Sequence, residues 1–239
     1  MLYAPFMADG TASLSRAERF AASRSKRRDL IELAIAYGLI LTVIWTPRPW
    51  QRVLWWVAAA SVVIITCISF EGLRAMGMRT GNFFRSLWVV GVALLLAAVA
   101  VFVAACLQTL HLPHSPILFI QTYWAYSIWA FVQQFLLQCF FLSRLRRLTP
   151  GALSAAIAAA GVFAAAHLPN PILTPITFLW GVAACLLFLR YRNLYPLAMA
   201  HAILGISIAV TVPGPVDHNM RVGTSYLTYE HRPHRLPQP

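Results

Sequence analysis

The sequence predicts an all-α protein, a polytopic membrane helical bundle of about seven transmembrane helices. The chain is 59% hydrophobic and 11% charged, whereas soluble domains carry about 25% charged residues. An apolar run of about 20 residues suffices to cross a bilayer. Such runs follow one another along the chain, approximately at residues 30–45, 53–70, 87–107, 116–141, 152–167, 172–189 and 194–212.

Basic residues between the runs predict the orientation. Six of them lie within residues 16–28, and more lie in alternate breaks at 74–85, 144–147 and 190–192. Cytoplasmic flanks of membrane helices are enriched in Lys and Arg, so we expect a cytoplasmic N-terminus. Arg outnumbers Lys 18 to 1, which suggests a GC-rich bacterium and a place in its inner (plasma) membrane. Because the arginines behind the net charge of +12 lie at helix ends, we expect no nucleic-acid partner.

The chain divides into four regions. Residues 1–28 are polar and predict a disordered basic cytoplasmic arm, without the apolar run of a cleaved leader. Residues 29–110 hold three transmembrane helices, and residues 111–212 hold four. Residues 213–239 form an irregular tail that contains several Pro and His residues.

Polar residues inside the apolar runs need an explanation. Gln133, Gln134 and Gln138 lie in the fourth run, and His167 and His201 lie in the fifth and seventh. Ionisable groups within a membrane are costly and usually functional, yet residues 72–216 contain no Asp or Glu. Two interpretations stay open: the side chains form a shared polar site, or they only join helices by hydrogen bonds worth about 0.6 to 2 kcal/mol each.

The fifth run predicts a central helix. Residues 151–166 are nearly all Gly, Ala or Ser, and small residues are enriched where membrane helices pack closely. His167 ends this run, so we expect its imidazole to point among helices rather than into lipid.

The order of these residues resembles the CPBP intramembrane proteases, also called the Abi or CAAX prenyl endopeptidase family, over residues 116–212. That family has a Glu-Glu pair followed after three residues by Arg, then Phe, three residues and His, then His with Asn or Asp four residues later. Phe163 and His167 match the second motif, with Asn170 following, and His201 matches the histidine of the third.

The first motif is substituted. Gln133 and Gln134 stand where the resemblance places the two glutamates, Gln138 stands in place of the arginine, and Gly205 stands in place of the final Asn or Asp. An amide cannot accept a proton as a general base does, and such a base contributes about 10²- to 10⁴-fold in rate.

The resemblance implies hydrolysis of a peptide bond in a membrane-associated protein or peptide. A glutamate and a histidine would activate water, and a second histidine with its Asn would steady the oxyanion. The positions imply a catalytic set of His167, His201, Gln133 and Gln134. We expect five further residues to lie around this set and to contact the substrate, the oxyanion or the catalytic residues. They are Gln138, Asn170, Gly205, Asp217 and His218.

Accounts of the family differ on whether a metal takes part. If a divalent metal such as zinc binds, we expect His167 and His201 as its ligands, although a neutral Gln is a poor partner for zinc. Other carboxylates that could substitute are Glu32, Glu71 and Asp217.

Three functions stay open. We expect a protein of this protease type, embedded in the lipid bilayer, with impaired or altered catalysis. The alternatives are a pseudoprotease that binds membrane substrates without cleaving them, and a non-enzymatic multispan scaffold or carrier.

Overall fold

Helices form all the regular structure of the residues that the computed structural model describes, which are 16–70, 72–74 and 76–229, with side chains from residue 25 onward. Glu71 and residues 230–239 therefore lie outside the description. The helices are α1 (Arg16–Trp45), α2 (Trp50–Ile68), α3 (Phe83–Ser86), α4 (Trp88–Cys106), α5 (Pro116–Phe135), a π-helix (Leu136–Leu142), α6 (Ser143–Leu148), α7 (Ala152–Ala165), α8 (Leu173–Tyr191), α9 (Tyr195–Thr211), α10 (Gly214–Asp217) and α11 (Thr224–Leu227).

The all-helical membrane fold is confirmed, but the predicted count of seven transmembrane helices is not. Among the described residues, four segments are long and apolar enough to cross a bilayer by themselves: Trp50–Ile68, Phe83–Cys106, Pro116–Leu148 and Leu173–Tyr191. The apolar helices α7 and α9 have 14 and 17 residues. At about 1.5 Å per residue they are shorter than a hydrocarbon core of about 30 Å. The protein is a multi-pass membrane protein.

Helix α1 begins at Arg16, within the region for which the sequence predicted no regular structure. Two ion pairs attach it to α6. Arg147 donates two hydrogen bonds of 2.7 Å to Asp29, and Arg144 donates one of 2.8 Å to Glu32. The residues of α1 before Asp29 are rich in Arg and Ala, which are good helix formers, so the anchored helix extends toward the N-terminus. We call this side of the bundle the basic end.

Helix α5 continues through the π-helix into α6 without a break. A π-turn widens the helix by one residue, and such turns occur frequently at functional sites. Here the π-helix contains Gln138. It follows directly after the end of α5, where Gln133 and Gln134 lie.

Helix α7 is central, as its small residues predicted. The side chains of Ala155, Ala156, Ala159 and Ala160 are completely buried. A Cβ atom added to Gly181 on α8 would lie only 3.0 Å from the Cβ of Ala160. The two helices are therefore as close as their small side chains allow.

The tail folds down onto the opposite side of the bundle, which we call the tail end. The Asn170 amide donates to the carbonyls of Asp217 and Arg221 at 2.7 and 3.0 Å. The Gly223 N–H donates to the Leu168 carbonyl at 2.8 Å. The described part of the predicted irregular tail thus includes the short helices α10 and α11 and is held by specific hydrogen bonds.

Candidate functional site

A cavity of about 720 Å³ lies among α1, α5, α7, α8 and α9, and the tail lines one end of it. Its volume falls within the range of about 300 to 1,000 Å³ that is typical of ligand pockets. Among the described residues, no Asp, Glu, Lys or Arg lines it. The polar side chains in its lining include His111, Thr122, Tyr123, Tyr126, Gln133, His167, Thr177, His201 and Asn219.

Gln134 fixes the protonation of His201. The Gln134 amide nitrogen lies 2.9 Å from Nδ1 of His201, and both side chains are buried. Gln138 donates a 3.2 Å hydrogen bond to the Gln134 amide oxygen, which leaves the amide nitrogen of Gln134 facing the ring. An amide nitrogen can only donate. Nδ1 of His201 therefore accepts, and the ring proton lies on Nε2.

His167 has the opposite tautomer. Its Nδ1 lies 2.8 Å from the Phe163 carbonyl oxygen, which can only accept. The proton therefore lies on Nδ1, and Nε2 has the lone pair. The Phe163 ring contacts both imidazoles, with centroid distances of 4.8 Å to His167 and 5.8 Å to His201. The two histidines thus lie near each other, one offering an acceptor nitrogen and the other a donor.

The three glutamines have different environments. Gln133 is partly exposed and lines the cavity, and no described residue forms a hydrogen bond with its amide. Gln134 and Gln138 are fully buried behind His201 and do not line the cavity. The Gln138 amide oxygen is buried without a hydrogen-bond partner.

Asn170 has a structural role in this arrangement. Besides its two bonds to the tail, its amide oxygen accepts from the backbone N–H groups of Ile172 and Leu173 at 3.0 and 2.9 Å. It is completely buried and does not line the cavity. Asn170 therefore holds the tail against the start of α8.

Asp217 and His218 lie in the tail but their side chains do not line the cavity. One Asp217 carboxylate oxygen accepts from the Asn219 N–H at 2.9 Å, and the other is buried without a partner. Burial raises the pKa of Asp217. The His218 ring stacks on Tyr226 at a centroid distance of 4.0 Å. The tail covers this end of the cavity, but through other residues.

The remaining candidate carboxylate, Glu32, is also separate from the cavity. It pairs with Arg28 and Arg144 at the basic end. Glu71 lies outside the described residues. No described carboxylate therefore takes the place of the two substituted glutamates.

Two cavity residues were not predicted from the sequence. A Cβ atom added to Gly205 would overlap the hydroxyl of Tyr126 on α5. Tyr126 precedes Gln133 by seven residues, or two helical turns, so the helical period could have placed both on one face. His111, in the loop after α4, also lines the cavity, and no pattern in the sequence indicates it.

The described residues do not fit a zinc site. Such a site takes three or four protein ligands, and no group of three or more His, Cys, Asp and Glu side chains in the described chain could hold a metal ion. The two histidines alone make an incomplete donor set.

Comparison with known proteins supports the resemblance. A family model described as Rce1-like, type II CAAX prenyl endopeptidase Rce1-like, matches residues 119–206. No curated protein matches the chain, and no solved structure matches it. The matched residues include Tyr126, Gln133, His167, His201 and Gly205. Residues 119–206 are therefore similar to the Rce1-like, type II CAAX prenyl endopeptidases, and the protein is a membrane protein with a CAAX-protease-like region.

Proposed function

We propose that this protein binds a segment of a membrane-associated protein or peptide in its cavity and that its hydrolysis of the peptide bond is strongly impaired. The observation that carries the proposal is the hydrogen bond from Gln134 to His201. At this position the resemblance places a carboxylate, which accepts protons. The amide donates one instead.

The loss of the carboxylate lowers the expected rate of hydrolysis. A general base contributes about 10²- to 10⁴-fold in rate, and neither Gln133 nor Gln134 can act as one. Gln133 faces the cavity and can orient a water molecule or a peptide group by hydrogen bonds. It cannot remove a proton.

The chemistry of the cavity supports an apolar polypeptide segment as the ligand. A charged ligand would leave water without finding a counter-charge, which is costly in an apolar site. The described lining offers amide, hydroxyl and imidazole groups among aliphatic and aromatic side chains. These groups suit a lipidated or transmembrane segment, whose peptide groups need hydrogen bonds and whose side chains need apolar surface.

The test uses the full chain in lipid nanodiscs with two fluorescent probes, a farnesylated CAAX peptide and an apolar transmembrane peptide. We expect saturable binding of at least one probe, weakened by His201→Ala, and no cleavage above the rate of empty nanodiscs. Failure of both probes to bind would favour the scaffold. Cleavage by the wild-type protein that is as fast as that of Gln133→Glu with Gln134→Glu, and that disappears in His167→Ala, would contradict the impaired hydrolysis.

A second candidate function is slow hydrolysis by the histidines alone, and the opposite tautomers favour it. Nε2 of His167 has a lone pair that can accept a proton from water, while Nε2–H of His201 can donate to the carbonyl oxygen. In that case wild-type protein would cleave the bound probe slowly, and His167→Ala would abolish cleavage but leave binding intact.

A further inference from the structure

We propose that the Tyr126 hydroxyl and Nε2–H of His201 form a pair of donors that holds one carbonyl oxygen of the bound polypeptide. The hydroxyl occupies the space that a side chain at position 205 would otherwise fill. This assignment rests on the proposed binding function and names the residues that position the peptide group.

The Tyr126 hydroxyl packs directly against Gly205 on α9. Gly205 follows His201 by four residues, one turn along α9, so both lie on the same helix face. A Cβ atom at position 205 would overlap the Tyr126 hydroxyl and would lie 2.5 Å from Cζ, the ring carbon that bears it. The absence of a side chain at Gly205 lets the phenol reach the α9 backbone beside His201.

The Tyr126 hydroxyl has free hydrogen-bonding capacity. Tyr126 lines the cavity, and no described residue forms a hydrogen bond with its hydroxyl. A Tyr hydroxyl that is removed from bulk water usually finds a partner. The partner here must come from the contents of the cavity.

His201 offers the cavity a donor nitrogen. Because Nδ1 accepts from Gln134, the nitrogen left for a ligand is Nε2, which donates. A phenol also donates. A carbonyl oxygen, which has two lone pairs, can accept from both groups at once.

The experiment compares two versions of the farnesylated CAAX probe, one with the normal peptide bond after the farnesylated cysteine and one with an (E)-alkene in its place. The alkene keeps the shape and neutrality of the peptide group but lacks its carbonyl oxygen. Binding is measured in nanodiscs for wild-type protein, Tyr126→Phe and the matched control Tyr123→Phe, which removes another cavity-lining hydroxyl from α5.

We expect Tyr126→Phe to weaken binding of the amide probe about fivefold to tenfold, the effect of one hydrogen bond. Its affinity for the alkene probe should stay at the wild-type value, and Tyr123→Phe should not distinguish the two probes. If Tyr126→Phe changes both affinities equally, or neither, the assignment is wrong while the binding function stands. If wild-type protein binds neither version, the proposed function fails and this assignment fails with it.

Discussion

The amide nitrogen of Gln134 lies 2.9 Å from Nδ1 of His201, so a neutral donor occupies the place where the resemblance puts a carboxylate. Gln138 orients this amide from behind through its own 3.2 Å hydrogen bond. The three residues form a buried chain of hydrogen bonds that fixes the tautomer of the histidine and supplies no base.

The chain of hydrogen bonds predicts unequal effects of two similar substitutions. Gln134→Leu leaves His201 Nδ1 without its donor and the Gln138 amide without its acceptor on Gln134, so we expect a loss of about 2 kcal/mol or more in the free energy of unfolding. Gln138→Leu removes an amide whose oxygen already lacks a partner and should cost less. Unfolding in mixed micelles would measure both, and equal losses would contradict the arrangement.

Arg144, at the basic end, should stabilise the fold. Its guanidinium is buried, pairs with Glu32 and donates to the Phe140 carbonyl at 3.1 Å. Arg144→Met should destabilise the fold by about 3 kcal/mol, because it leaves a carboxylate with fewer partners in a partly buried site. The control Arg146→Met changes an exposed arginine on the same helix and should fall within about 0.5 kcal/mol.

The hydrogen bonds of Asn170 should determine how firmly the tail is attached. Asn170→Ala removes the side-chain hydrogen bonds to Asp217 and Arg221. We expect the free energy of opening the tail to fall by about 2 kcal/mol, which is roughly a 30-fold fall in protection of its amides from hydrogen exchange. Hydrogen exchange of the backbone amides of residues 213–229 would measure this loss of protection. The control Thr224→Val removes a single 3.2 Å bond to the Ile44 carbonyl and should have a smaller effect. Unchanged protection in Asn170→Ala would contradict the anchoring role.

The tail should also be held more firmly in acid. Burial raises the pKa of Asp217 in the folded protein above its usual 3.8, although backbone hydrogen bonds and His111 oppose the shift. The protonated carboxyl of Asp217 therefore stabilises the folded tail. This contribution is complete below the pKa that Asp217 has in the unfolded chain, and it is lost as the pH rises through its pKa in the folded protein. Protection factors of residues 213–229 should therefore be higher near pH 4 than near pH 7. Asp217→Asn should remove this dependence, and a dependence that persists would assign it to another group.

The sequence predicted the all-helical membrane architecture and part of the site. Apolar runs predicted the helices because hydropathy reports burial in lipid directly. The motif order picked out Gln133, His167 and His201, which the structure places in one region. The small residues of α7 predicted its close packing.

Other features depend on contacts that no local pattern encodes. The π-helix has no composition that separates it from an α-helix. The bonds from Asn170 to the tail join residues about 50 positions apart. The overlap between Tyr126 and Gly205 is a property of two packed helices. It also means that a side chain at position 205 requires the tyrosine to move.

The most direct test of the account restores the carboxylates alone. Gln133→Glu with Gln134→Glu should be compared with wild type and with the control Gln121→Glu, which adds a carboxylate to α5 on its exposed side. Gly205 is kept because a larger side chain would collide with Tyr126. In single-turnover cleavage of the farnesylated probe, the account predicts a rate at least about 10²-fold above wild type and control. The account is contradicted if wild-type protein cleaves the probe as fast as the restored variant does and if His167→Ala abolishes that wild-type cleavage.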